Sequence, residues 1–179
     1  MNAKWIYCLI CKIFSRGRAA KEQQWKGMVD AVVPRLTPDQ AWAVLADFGN
    51  FHKYHPDLDT GYIVEGEPGQ QGMVRFCSAT KPMPPDGTLA TLWVKEKLLT
   101  IDSVRRCLTY EITENNMGFT KYLATMKVVP LSFEEQGCKV QWSFVANPVQ
   151  GWTMEAFQTY LHQSLQDLVR NIEVHVISS

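Results

Sequence analysis

Glu96, Arg75, Tyr122 and Tyr110 are the residues whose types and spacing suggest chemistry. Glu96 sits in ATLWVKEKL, residues 90–98, which alternates with period two. Ala90, Leu92, Val94, Glu96 and Leu98 share one face, and Thr91, Trp93, Lys95 and Lys97 share the other. In a half-buried strand the apolar parity points inward, so Glu96 is expected among aliphatic side chains. An unpaired buried carboxylate is costly; it must pair, protonate or line a cavity that needs it.

The same parity test finds it company. In residues 120–129, Lys121 and Lys127 mark the outward face, which turns Tyr122 inward. Tyr110 shares a face with Leu108 and Ile112. Arg75 alternates with Met73, Cys77 and Ala79, but Val74, Phe76 and Ser78 make the other face almost as apolar, so pattern alone leaves its direction open. If Arg75 points inward it is the natural counter-charge for Glu96. One acid–base group, one cation and two phenols would then share an apolar interior. Such a carboxylate can move a proton, and Arg and Tyr can hold a developing oxyanion. The bland alternative is plain structure, because buried Arg–Glu pairs and core phenols also occur without catalysis.

Other chemical signals are weak. His52 and His55 stand three apart without a third ligand nearby, which reads as surface or pocket-rim histidines rather than a metal site. Cys8 and Cys11 have C-x-x-C spacing but no second pair. Nucleophile-elbow, H-E-x-x-H and P-loop patterns are absent from the sequence. No metal site is expected.

The elements that must position these residues emerge from hydropathy and turn chemistry. A strand is expected from Trp25 to Val33, ending at Pro34. Thr37-Pro-Asp-Gln40 is a capping box opening a helix whose apolar face is Ala41, Trp42, Val44, Leu45 and Phe48. A second short helix or turn is expected over residues 51–56. Strands are then expected at 58–65, 72–79, 88–101, 106–113, 119–129 and 138–146. Residues 81–87, KPMPPDG, read as a turn that cannot sit inside a sheet. Residues 153–176 form a long amphipathic helix with Phe157, Leu161, Leu165, Leu168 and Ile172 on its apolar stripe. Consecutive strands with short turns imply an antiparallel sheet, so the fold class is α+β: a curved seven-stranded sheet around a long C-terminal helix. A cavity for a small apolar molecule can lie between helix and sheet.

Composition narrows the function classes. The chain has 179 residues, 46% apolar and 20% charged, with zero formal net charge. That suits one globular domain, residues 25–179, after an extension at residues 1–24. A zero charge balance argues against nucleic acid as the main partner. Five scattered cysteines fit reduced thiols in a cytoplasmic setting. The apolar run from Trp5 to Phe14 is too short to span a bilayer and is broken by Lys12. The extension reads as flexible or weakly amphipathic, with a weak membrane contact as the alternative.

Several segments carry a resemblance to a known family. TPDQAW at 37–42, LADFGNFHK at 45–53, VEGEPGQQGMVRF at 64–76, WVKEKL at 93–98, YLATMKVV at 122–129 and WSF at 142–144 resemble the lachrymatory-factor-synthase group. That group lies in the polyketide cyclase/dehydrase branch of the START-like, birch-pollen-allergen-like (SRPBCC) helix-grip superfamily. The resemblance covers about residues 25–174. It implies a catalytic set of Arg75, Glu96 and Tyr122, a substrate wall of Tyr110, Trp142 and Leu92 with Trp152 and Phe157 added, and no cofactor. Leu92 stands where the synthase has an aromatic residue, and the Pro-rich stretch at 81–87 also departs. The resemblance further implies a plant enzyme of specialised metabolism that isomerises, cyclises or eliminates a small hydrophobic metabolite by proton transfer. The same fold also hosts non-catalytic carriers and sensors of hydrophobic metabolites or hormones. A monomer or weak dimer is expected.

Overall fold

A computed structural model describes residues 24–83, 86–132 and 136–178. The expectations for residues 1–23 therefore lie outside the described residues. Seven antiparallel strands run in the order β1-β7-β6-β5-β4-β3-β2. They are β1 (Trp25–Val33), β2 (Thr60–Glu65), β3 (Val74–Met83), β4 (Thr88–Asp102), β5 (Cys107–Asn115), β6 (Tyr122–Pro130) and β7 (Cys138–Ala146). Between β1 and β2 come α1 (Pro38–Ala46) and a 3-10 helix (Phe48–Lys53). The chain closes with α2 (Met154–Ser178). This is the expected helix-grip architecture.

Only β1 leaves sequence order, crossing the sheet to pair with β7, Trp25 opposite Ala146 through Val33 opposite Cys138. The intervening α1 and 3-10 helix make that crossing. Thr37 caps α1 as its sequence implies: its Oγ1 accepts from the Gln40 N–H at 3.2 Å and its own N–H donates to Gln40 Oε1 at 2.9 Å. The 3-10 helix begins at Phe48, three residues before the predicted second helix, because the chain tightens directly out of α1.

The pairing of β4 with β5 is irregular beside Glu96. β5 carries an extra residue against β4 at Thr113, since Lys95 opposes Glu114 while Glu96 opposes Ile112. A second irregularity lies between Leu98 and Thr100. Bulges of this kind increase local twist and re-aim side chains. The concave face packs on α2, about 37 Å long for its 25 residues. Leu161, Leu165, Leu168, Val169 and Ile172 are its buried stripe, against Val29, Ala31, Val140, Phe144 and Leu98 in one core.

The proline stretch corrects the sequence reading. Lys81, Pro82 and Met83 continue β3, opposite Ala90, Leu89 and Thr88. β2 pairs with β3 only as far as Ser78, so beyond it β3 has a neighbour on one side alone. A proline at such an edge loses no ladder hydrogen bond if its nitrogen faces the open side. Among the described residues no helix is long and apolar enough to cross a membrane.

Candidate functional site

Arg75 and Glu96 face each other directly across β3 and β4. Both are buried, at 2% and 8% exposure. Arg75 Nε donates to Glu96 Oε2 at 2.7 Å, and a terminal guanidinium nitrogen lies 2.6 Å from the same oxygen. The other terminal nitrogen donates to the Phe48 carbonyl at 2.7 Å. Aromatic rings close around the cation: Phe48 at 3.6 Å, Phe51 at 4.5 Å and Tyr110 at 5.6 Å from the guanidinium carbon to ring centroid. Arg75 therefore points inward. Its parity is ambiguous in the sequence because β3 is covered on both faces here: Val74 and Ser78 are buried on the outer side. Alongside them Tyr62, Phe76 and Trp93 stack across three strands at 5.1 and 5.9 Å.

Removing two charges from water costs several kcal/mol each, and only close geometry and further hydrogen bonds offset it. Burial is the largest single influence and would depress the Arg75 pKa, but the Glu96 charge, the neighbouring Cys77 and Tyr110 and the Glu96 hydrogen bond together outweigh it and hold the guanidinium above its ordinary value. Glu96 Oε1 carries no hydrogen bond among the described residues, and the Glu96 side chain keeps 11% exposure. Cys77, two residues along the same face, is no nucleophile in this setting, because burial pushes its thiol up to about 11.

The phenols complete the interior. Tyr110 and Tyr122 are 2% and 4% exposed, with ring centroids 6.3 Å apart. Burial raises both pKa values, and the Glu96 charge adds to the effect in each case. The Tyr122 hydroxyl and the Trp142 indole nitrogen are buried without a hydrogen-bond partner. Phe157, from the first turn of α2, packs edge-on against Tyr122 at 6.2 Å and against Phe144 at 5.1 Å. Half-buried Trp152 meets Phe157 at 6.0 Å, so it reaches the cluster through that ring. Of the expected residues, Leu92 alone stands apart. It is half-buried opposite Ala79, beyond the end of the β4–β5 pairing and outside the core cluster.

Sequence pattern does not assign Phe48, Phe51 and Phe119 to the site. Phe48 is legible only as helix face, and its carbonyl, which holds Arg75, has no side-chain signature. Phe119 reaches Tyr122 at 5.4 Å from the loop before β6. His55 also corrects a reading. It is interior rather than on a rim, with Nε2 2.8 Å from the Ser164 hydroxyl on α2. The Asp57 N–H donates to its Nδ1 at 3.3 Å, which makes Nε2 the protonated nitrogen. The His52 ring lies against Gly61. No group of three or more His, Cys, Asp or Glu able to hold a metal occurs among the described residues.

With this geometry in hand, comparison with known proteins fixes the family. Residues 25–175 match the model of polyketide cyclase / dehydrase and lipid transport proteins. The chain belongs to that family. Among solved structures, that of Ara h 8.0201 has a TM-score of 0.64 at 22% identity, covering 88% of this chain and all of the other. Ginseng major latex-like protein 151 from Panax ginseng gives a TM-score of 0.65 at 18% identity, over 85% of this chain and 97% of its own. At such identities the likeness is one of fold. The family match together with the helix-grip fold places the chain in the START-like superfamily without singling out the lachrymatory-factor-synthase group.

Proposed function

We propose that the protein takes a small, largely apolar molecule between sheet and α2, and that Glu96 moves a proton on it. The observation that carries this reading is the state of the Glu96 carboxylate. One oxygen is held by Arg75, while the other is free of hydrogen bonds among the described residues, in an otherwise apolar interior. A purely structural ion pair gains most when every lone pair is satisfied. Here the free oxygen is left for a ligand's proton. Arg75 orients the carboxylate and stabilises negative charge, and Tyr122 donates a hydrogen bond or relays the proton. The reaction would be an isomerisation, cyclisation or elimination needing no cofactor. This extends the resemblance to the lachrymatory-factor-synthase group, with the substrate set by the lining rather than carried over.

A second reading has its own support. The family description includes lipid transport, and the fold likeness is to Ara h 8.0201 and a major latex-like protein. The tight Arg75–Glu96 contact also suits a carrier that uses the pair only to anchor a polar headgroup. One experiment separates the two. Purified full-length protein and its Glu96→Gln variant are incubated with fractionated plant metabolite extract and compared by mass spectrometry. A compound consumed by the wild type and merely bound by the variant supports proton transfer. A compound retained unchanged by both supports the carrier.

A further inference from the structure

The chain enters the fold at the end where the aromatic cluster lies. Gln24, the first described residue, donates from its side-chain nitrogen to Asn147 Oδ1 at 3.2 Å. Trp25 then opens β1 opposite Ala146, and Tyr122, the first residue of β6, pairs with the same alanine from the other side. The Trp25 ring meets Phe157 at 5.8 Å, and Phe157 is the ring that packs on Tyr122. Antiparallel pairing puts the start of β4, the end of β7 and the start of α2 at this end as well.

The residues before Gln24 differ in charge from the rest of the chain. Residues 1–21 hold Lys4, Lys12, Arg16, Arg18 and Lys21 and no acid. The whole chain is neutral, so residues 22–179 carry the five balancing negative charges. Within the basic stretch, residues 5–14 are apolar except for Lys12, with Trp5 and Tyr7 among them. That is about half the length a bilayer crossing needs. A short apolar run in a basic setting has one natural complement, the surface of an anionic bilayer. Its apolar side chains enter the acyl boundary, and its Lys and Arg side chains meet the headgroups.

The fold also shows apolar side chains at this end. Leu89, beside the β3–β4 turn, is 68% exposed, and Tyr160, 43% exposed, packs on half-buried Trp152 at 5.5 Å. Exposed Lys26 and Lys121 flank the entry of the chain. Asp86 and Glu155 are exposed at the same end. The fold therefore adds little net attraction of its own, and residues 1–21 must supply it.

We propose that residues 1–21 bind an anionic membrane surface and hold the end of the fold that carries Trp25, Leu89 and Trp152 against the bilayer. An apolar ligand then passes between membrane and interior without crossing water. That last consequence rests on the reading that the interior takes an apolar molecule; the membrane contact does not.

The test sediments full-length protein with vesicles of phosphatidylcholine alone and of phosphatidylcholine with phosphatidylserine, about 3:1, at about 0.1 M salt. Binding is expected only with phosphatidylserine, and it should fall as salt rises. Each basic residue at the surface is worth about a fivefold change in partition, so Arg16→Gln/Arg18→Gln should weaken binding about twenty-five-fold. Ile6→Ser/Ile10→Ser/Ile13→Ser keeps every charge and should weaken it at least about a hundredfold. Unchanged binding in that variant would mark a contact with polyanions in general and overturn the proposal, as would equal binding to the two kinds of vesicle. Hydrogen exchange of the wild type then reads the orientation. Vesicles should protect residues 86–91, 116–120 and 148–153 and leave the β4–β5 turn at 103–106, at the opposite end, unchanged. Protection confined to residues 1–21 overturns the docking of this end. The salt dependence and the exchange pattern decide the matter even where a variant folds poorly. No ligand is present in either measurement, so failure here leaves the reading of Glu96 standing.

Discussion

Removing one member of the Arg75–Glu96 pair should cost far more than removing both. In Glu96→Leu, Arg75 keeps only the Phe48 carbonyl and three rings while remaining charged and 2% exposed. In Arg75→Met, Glu96 loses the one cation that meets it, at 2.6–2.7 Å. Breaking a buried pair from one side costs about 3–5 kcal/mol, because an uncompensated charge stays in the interior. Arg75→Met adds the lost cation–π contacts, about 0.5–2 kcal/mol, and strands the Phe48 carbonyl. The double variant Arg75→Met/Glu96→Leu buries no charge and fills nearly the same volume. It should fall within about 2 kcal/mol of wild type, since well-packed apolar replacements of buried pairs are often neutral or stabilising. The coupling energy of the cycle should therefore exceed about 3 kcal/mol in magnitude. Urea unfolding of all four proteins at neutral pH, with m-values compared, reads it directly. If each single variant cost under about 1 kcal/mol, or the double variant lost the sum of the singles, the desolvated pair would not be what the distances imply.

Other consequences are as direct. His55 is buried neutral, and burial lowers its pKa beneath the ordinary 6.5 even though Asp57 and Asp167 pull upward and Arg75 and Lys81 add to the lowering. The unfolded state then binds the proton first, so stability is full above about pH 6.5 and falls as pH drops below it; His55→Gln should flatten that slope in thermal melts between pH 7.5 and 5. Glu173 accepts the Arg35 N–H at 2.8 Å as well as its guanidinium at 3.1 Å. Because the Arg35 side chain is 59% exposed, Arg35→Ala should cost under about 1 kcal/mol. Glu173→Ala, which also orphans the backbone N–H, should cost about 1–2 kcal/mol in the same denaturation assay. Gly137 has φ +104°, and a Cβ there would lie 2.5 Å from the Val33 carbonyl oxygen. Gly137→Ala should therefore lower the melting temperature by several degrees, with a loss of about 2 kcal/mol or more, while substitution at the open Gly69 should cost less.

Much of this protein is legible without coordinates, and the reason is periodicity. β1, β4, β6 and β7 each have one face on the core and one on solvent, so alternation places Glu96 and Tyr122 inward. The α1 capping box and the stripe of α2 are local features written in a few adjacent residues. Where both faces of an element are covered, alternation carries no direction. That is why Arg75 on β3 cannot be oriented from pattern. Pro82 reads as a turn, and wrongly, because proline penalises a strand only where its missing N–H is needed, and whether β2 extends alongside is a matter of pairing length. His55 is misplaced by pattern because its partner Ser164 lies 109 residues away.

The sequence by itself determined the fold class, the order of elements and the inward position of an acid that a soluble strand would otherwise place in water. These rest on residue types and short-range spacing, which survive any choice of tertiary packing. Only the tertiary structure decided what that acid meets. The register of β3 against β4 sets Arg75 opposite Glu96, and the crossing from β1 to β2 brings the Phe48 carbonyl and the Phe48 and Phe51 rings over the cation. The seating of α2 closes Phe157 on Tyr122. Each is a contact between segments distant in the chain, fixed by how the sheet curves around the helix rather than by any residue's own preference.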